Sequence, residues 1–173
     1  MTIPALPWRY PFQADKPRHR PVLRPIVSTQ IIGTVSSTPV KALVDSGSEH
    51  MLAAPWLATD AAVDLGNVKY RAYLGIGGQN LLVSFVDLRV RLLHPNGSDD
   101  HFIEWETEVG FPEQWLAPWP MLLGLHGFFD QFTVSMHRAA ALTVIEEWGA
   151  FDERFGVEIR ESDVHTQHES RKI

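Results

Sequence analysis

Short apolar segments separated by turn residues, about every ten positions, are the feature that most restricts how this 173-residue chain can fold. The segment from Asp87 to Leu92 alternates polar and apolar residues, as a strand with one buried face does. The dipeptide Asn96-Gly97, which favours a two-residue hairpin turn, follows it. Together these signals predict an all-β fold, a barrel or a sandwich. The predicted strands cover residues 26–32, 40–44, 67–74, 81–93, 101–109, 121–123, 133–136 and 141–145.

The composition divides the chain into three parts. Residues 1–21 contain five prolines, with four bases against one acid, and this predicts an extended basic arm rather than a packed element. Residues 22–147 hold the predicted strands and form the expected domain, with one or two helical turns at each of 51–62 and 127–132. Residues 148–173 are expected to be a polar, acidic tail.

Several classes of function are disfavoured by the composition. The net charge is −6, whereas a general nucleic-acid binder is usually basic. The absence of cysteine excludes disulfide bonds, cysteine-ligated zinc and a thiol nucleophile. No stretch approaches the roughly 18 apolar residues of a membrane span, and the first residues lack the pattern of a signal peptide. We therefore expect a cytoplasmic protein that has neither nucleic acid nor a membrane as its partner.

The motif with the most chemical content is a carboxylate at the end of an apolar strand. Asp45 follows the strand at 40–44 and begins the turn Asp45-Ser46-Gly47-Ser48. A carboxylate there is costly to bury alone, so it should be hydrogen-bonded or used in catalysis. Gly47 allows a tight turn, and the two serine hydroxyls can orient the carboxylate. An ordinary Asp-Ser-Gly turn between strands explains the same residues equally well.

Two further glycine motifs follow along the chain. Gly75-Ile76-Gly77-Gly78 lies between two predicted strands and predicts a hairpin tip with exposed backbone amides. Met121-Leu122-Leu123-Gly124 is an apolar strand that stops at a glycine, and such a strand could pack beside the Asp45 turn. Taken singly, the first motif is a hairpin loop and the second a core strand.

In this order the three motifs resemble those of the retropepsin-like aspartic proteases, single-domain relatives of pepsin. That family has two hydrophobic residues before Asp-Ser/Thr-Gly-Ala/Ser, then a glycine-rich flap, then two apolar residues and a glycine before a short helix. The resemblance covers about residues 22–147 and implies a closed acid-protease-like barrel of short strands with one or two short helices. Retroviral members usually have an arginine after the last glycine, paired with an acid near the first motif. Here Leu125 follows Gly124, while Glu49 follows Ser48.

The resemblance implies an aspartic-type endopeptidase that needs no metal or cofactor. Two aspartates would activate a water molecule, and because the chain has a single Asp-Ser-Gly turn, a homodimer would supply the second. The substrate would be a protein or an extended peptide. The resemblance implies catalytic roles for Asp45, Ser46 and Gly47, substrate contacts for Ser48, Gly75, Ile76, Gly77 and Gly78, and a supporting structural role for Leu122, Leu123 and Gly124.

Other functions stay open at this point. A catalytically inactive dimer of the same fold could bind peptides or act as a scaffold. A serine hydrolase is disfavoured because the sequence has no Gly-x-Ser-x-Gly elbow. The histidine pairs His94/His101 and His165/His168 could bind a metal, but surface positions explain them better. Finally, Tyr10-Pro11 resembles bonds that retroviral members cut, which raises the hypothesis of self-processing in the arm.

Overall fold

The computed structural model describes residues 7–15, 22–97 and 100–155, and it consists mostly of strands. The elements in chain order are β1 (Trp8–Pro11), β2 (Gln13–Asp15), β3 (Val22–Arg24), β4 (Ile26–Ile32), β5 (Val40–Val44), β6 (Leu52–Ala53), α1 (Pro55–Asp60), β7 (Tyr70–Ile76), β8 (Gln79–Leu93), β9 (Phe102–Pro112), β10 (Met121–Leu123), β11 (Phe132–His137), β12 (Leu142–Glu147) and α2 (Trp148–Phe155). No helix in these ranges is long and apolar enough to cross a membrane.

Six of the strands close into a barrel. Their hydrogen-bonded order is β4-β5-β10-β6-β9-β8, and pairing of β4 with β8 closes the ring. β7 extends this sheet and forms a hairpin with β8, which follows it in the chain. The prediction of an all-β fold built as a closed barrel with one or two short helices is confirmed.

Alternation along β8 and β4 places apolar side chains inside the barrel. Ile31 of β4 pairs with Val90 of β8, and both are fully buried. Arg91, the next residue of β8, points outward, and its Nε lies 2.7 Å from the Glu104 carboxylate on β9. This hydrogen bond holds the pKa of Glu104 below its usual value. The closed barrel thus has an apolar interior and charged residues on its outer face.

The N-terminal segment departs from the sequence prediction. Residues 8–11 form β1, which pairs with β12 in a separate three-stranded sheet, β1-β12-β11. Trp8 and Tyr10 are 2% and 4% exposed, and the Tyr10 hydroxyl donates a hydrogen bond to the Leu93 carbonyl at 2.7 Å. The expectation of an unpacked arm is therefore wrong for these residues, because alternate side chains of the short strand enter the core. Further along the arm, β2 pairs with β3, and residues 1–6 and 16–21 lie outside the described residues.

Three other segments differ from prediction. Residues 148–155 form α2 where a tail was expected, and the rest of that expected tail, residues 156–173, lies outside the described residues. Residues 127–131 form consecutive turns rather than a helix. The amides of Gln131 and Phe132 both donate to the Phe128 carbonyl, and these hydrogen bonds of helical spacing are not continued at the neighbouring carbonyls. Between 51 and 62 the helix is limited to α1, whose first residue is Pro55, a position that suits proline.

Candidate active site

The Asp45 turn emerges from the barrel where two core strands end together. β5 and β10 run parallel, with Val44 beside Leu123, and both side chains are buried. The Asp45 amide continues this pairing by donating a hydrogen bond to the Leu123 carbonyl at 3.0 Å. The carboxylate therefore leaves the barrel at a fixed position, on the first residue beyond β5.

Within the turn, the backbone holds the Asp45 carboxylate. The Gly47 amide donates to Asp45 Oδ1 at 3.0 Å, and the Ser48 amide donates to the Asp45 carbonyl at 3.1 Å. A Cβ atom on Gly47 would lie 3.2 Å from the same Oδ1, so glycine leaves room for the carboxylate. Ser46 and Gly47 are exposed. The Ser48 hydroxyl donates to the His50 carbonyl at 2.8 Å rather than to Asp45, whereas the turn motif predicts that it orients the Asp45 carboxylate.

Gly124 permits the close packing of the segment that follows β10 against the Asp45 turn. A Cβ atom there would lie 2.2 Å from the His50 carbonyl oxygen and 2.7 Å from that of Ser48, closer than any side chain permits. Just beyond it, the Leu125 amide donates to the Ser48 carbonyl at 2.8 Å. Leu123 and Gly124 are buried behind the turn, whereas Leu122 is partly exposed. The segment that ends at Gly124 thus packs directly against the Asp45 turn.

A cleft of about 360 Å³ lies above the Asp45 turn. It brings together most residues of the sequence motifs, whereas Ser46, Gly78, Leu123 and Gly124 do not line it. Three further lining residues, Glu49, Leu52 and Leu74, were not predicted from the sequence as part of the site. The full lining is Asp45, Gly47, Ser48, Glu49, His50, Leu52, Leu74, Gly75, Ile76, Gly77 and Leu122.

The hairpin of β7 and β8 contributes one wall of the cleft. Its tip is formed by Gly77 and Gly78, with φ angles of 58° and 80°, in the left-handed region that favours glycine. Leu116, from the loop after β9, reaches the tip, since a Cβ atom on Gly77 would lie 3.6 Å from Leu116 Cδ1. The loop after β9 therefore lies next to the hairpin tip.

The rest of the wall is apolar. Leu74, Ile76 and Leu122 pack against a cluster of buried residues that comprises Leu52, Val83 and Phe85. The side chain of Trp115 joins this cluster, and its indole N–H donates to the Trp119 carbonyl at 2.9 Å. An apolar wall beside a carboxylate suits a ligand that has both a polar backbone and apolar side chains.

Among the described residues, the formal charges that line the cleft are both negative, on Asp45 and Glu49, and no lysine or arginine of these residues lines it. Glu49 has no ion-pair partner in the part of the chain that the structure describes. The side chain of Leu125, where retroviral members usually have arginine, is 43% exposed. The imidazole of His50 lies 5.6 Å from that of His126, and His126 Nδ1 lies 3.5 Å from the Asp130 carboxylate.

No group of three or more potential metal ligands occurs among residues 7–15, 22–97 and 100–155. The rings of His94 and His101 lie 6.0 Å apart, and His94 Nδ1 accepts a hydrogen bond from the Asn96 amide. The other pair, His165 and His168, falls outside the described residues. The described histidine pair therefore provides at most two ligands.

Comparison with known proteins supports the fold. No family model and no curated protein matches the sequence. A retropepsin-like aspartic protease from Rickettsia conorii is similar in structure, with a TM-score of 0.51 and 16% identity over 84% of this chain and 95% of that one. The retroviral protease-like domain of Ddi1 from Leishmania major gives a TM-score of 0.47 and 16% identity over 73% of this chain and 94% of that one. The first likeness shows that the chain has the retropepsin-like fold, as the resemblance of its motifs implies.

Proposed function

We propose that this chain, which has the retropepsin-like fold, is one subunit of an aspartic-type endopeptidase. The observation that carries the proposal is the position of Asp45: it lies in a glycine-supported turn, partly exposed, at a cleft beneath a glycine-tipped hairpin. The chain has one such turn, so a second copy would bring the second aspartate across a twofold axis. We place this activity in the cytoplasm, as the sequence analysis expects.

The chemistry requires two carboxylates that share one proton. Like charges at close range cannot both ionise, so one Asp45 of the dimer would stay protonated while its mate is ionised. The ionised carboxylate would take a proton from water, and the protonated one would donate to the carbonyl oxygen of the scissile bond. The tetrahedral diol would then collapse to an amine and a carboxylic acid. The two carboxyl groups would titrate as a pair.

Ser46 and Gly47 would form the contact between the two copies. Both are exposed, although they adjoin the buried end of β5, and this leaves the turn accessible to a partner. In the proposed dimer Ser46 would hydrogen-bond across the axis and fix the distance between the carboxylates. Gly47 would position the substrate backbone.

The proposed substrate is a protein segment in extended conformation. Within the described residues β7 pairs with β8 alone, so its other edge has backbone groups available for an added strand. Gly75, Ile76, Gly77 and Gly78 would close over the peptide, and the apolar wall would receive its side chains. Ser48 would contact the substrate from the floor of the cleft.

Asp45→Asn, with Asp64→Asn as matched control, tests the proposal. Both aspartates accept a hydrogen bond from the amide two residues ahead, at 3.0 Å for Asp45 and 2.8 Å for Asp64, but Asp64 does not line the cleft. In a peptide-library cleavage assay read by mass spectrometry, Asp45→Asn should lower the rate at least about 100-fold, and Asp64→Asn should leave it unchanged. A statine-type inhibitor should block the wild-type protein. Cleavage by Asp45→Asn at the wild-type rate contradicts the mechanism, whereas peptide binding without any cleavage points to a non-catalytic binding module.

A further inference from the structure

We propose that Glu49 makes the cleft selective for peptides that have a basic side chain close to the segment lying over Asp45. This inference rests on the proposed function only in taking the cleft as a peptide site. It concerns a residue beyond the Asp-Ser-Gly-Ser turn, and it predicts a property of the substrate that the turn does not determine.

Glu49 is presented to the cleft from a rigid stretch of backbone. Its carbonyl accepts a hydrogen bond from the His126 amide at 2.8 Å, and the Ser48 carbonyl accepts one from the Leu125 amide at 2.8 Å. The Met51 amide in turn donates to the His126 carbonyl at 3.2 Å. The backbone on both sides of Glu49 is therefore fixed, while its side chain is exposed.

The Glu49 carboxylate differs in its partners from Glu104 and Glu108, two acids of β9. Glu104 lies within 2.9 Å of two arginines, and Glu108 lies 3.2 Å from Lys69. Glu49 has no lysine or arginine within 4.0 Å among the residues that the structure describes. The arginine that the family usually places after the last glycine is replaced by the apolar Leu125. A carboxylate on the cleft wall is thus left for an external cation.

The groups around Glu49 strengthen this preference. Asp45 lines the same cleft and adds negative charge, and a cleft of one sign concentrates ligands of the opposite sign. Among residues that the structure describes, the imidazoles of His50 and His126 lie nearby and can carry positive charge, and His126 already faces Asp130 at 3.5 Å. Assays at pH 8, where an ordinary imidazole is uncharged, isolate the effect of the carboxylates.

Binding to the inactive protein separates selectivity from catalysis. The affinity of the Asp45→Asn variant for peptides is measured by fluorescence anisotropy. The peptides are octapeptides with blocked ends and two leucines at the centre. Lysine, norleucine or glutamate is placed in turn at each of the remaining positions. At one or more positions lysine should bind about fivefold tighter than norleucine at low salt, and high salt should reduce the difference.

Variants of Glu49 identify the group responsible. Glu49→Gln should remove the preference for lysine, and Glu49→Arg should reverse it in favour of glutamate. Glu106→Gln, which changes an exposed acid that lines a different cavity, should leave the preference intact. Thermal unfolding should be unchanged in all three, because these side chains are exposed.

The outcomes distinguish this inference from the proposed function. A Glu49-dependent preference without cleavage by the wild-type protein supports the inference and contradicts the proposed function. Cleavage with no preference for lysine, or with a preference that persists in Glu49→Gln, overturns the inference alone. Failure of every peptide to bind overturns both.

Discussion

Removing the Tyr10 hydroxyl tests whether β1 is part of the folded domain. The hydroxyl is buried and donates to the Leu93 carbonyl at 2.7 Å, so Tyr10→Phe deletes one hydrogen bond and leaves the ring in place. Loss of such a bond, with a buried acceptor left behind, costs about 1–2 kcal/mol. For a chain of this length that loss lowers the Tm by about 3–6 °C. Urea unfolding should show a lower midpoint at an unchanged m-value.

The pH dependence gives this prediction a second, independent readout. Burial raises the pKa of Tyr10 above its ordinary value of 10.0. Above pH 10 the unfolded chain therefore loses a proton that the folded chain keeps, so stability falls as the pH rises. Tyr10→Phe lacks this contribution. The difference in free energy of unfolding between the wild-type protein and Tyr10→Phe should therefore decrease above pH 10, by up to about 1.4 kcal/mol per pH unit.

Tyr73→Phe is the matched control, because Tyr73 is 72% exposed. It should change the free energy of unfolding by less than about 0.5 kcal/mol. Two results would show that β1 is not packed as described. One is a change in the free energy of unfolding of Tyr10→Phe as small as that of the control. The other is a difference from the wild-type protein that does not depend on pH. The burial of Tyr10 also bears on the hypothesis of self-processing, since the Tyr10-Pro11 bond lies within a paired strand and would have to detach before cleavage.

Three further predictions address the support of the site and the packing of the barrel. Gly124→Ala should lower the Tm in differential scanning fluorimetry by more than about 5 °C, because its Cβ would overlap the His50 carbonyl; an unchanged Tm contradicts the described packing. Leu123→Ala should cost about 2–5 kcal/mol in urea unfolding, because Leu123 is fully buried, and a cost below about 1 kcal/mol would place it outside the core. Hydrogen bonds from Thr38 hold the pKa of Asp60 below its usual value. Asp60→Asn should therefore destabilise the protein at neutral pH, and this loss of stability should become smaller as the pH falls below 4. A loss that is the same at every pH in unfolding experiments argues against these hydrogen bonds.

The barrel was predictable because its strands have strong local signals. The alternation in residues 87–92 and the β-branched run at 26–32 each lie in a strand of the closed sheet. β1 was not predictable in the same way. Its four residues contain a proline and lie in a proline-rich segment, and their burial depends on a free edge of β12 more than 130 positions away.

The residues that line the cleft also fall into two groups, those that a local sequence motif indicates and those that no such motif indicates. Asp45, Gly77 and Leu122 belong to glycine motifs that can be read locally, and the structure brings them to one cleft. Leu52 and Leu74 have no such signal. Leu52 reaches the cleft because it pairs with Gly110 of β9 and Leu122 of β10, which lie more than 50 positions further along the chain. Local sequence thus indicates the turns, whereas long-range pairing selects the apolar wall between them.

The central claim, that two copies of Asp45 form one catalytic site, is tested most directly by mixing active and inactive subunits. Wild-type protein and Asp45→Asn are combined in equal amounts at constant total concentration and allowed to exchange, and the rate of peptide cleavage is compared with that of the wild-type protein alone. If a site requires an aspartate from each copy, only dimers of two wild-type subunits cleave, and the rate should fall to about one quarter. A rate of about one half would show that each subunit works by itself, and it would contradict the shared site.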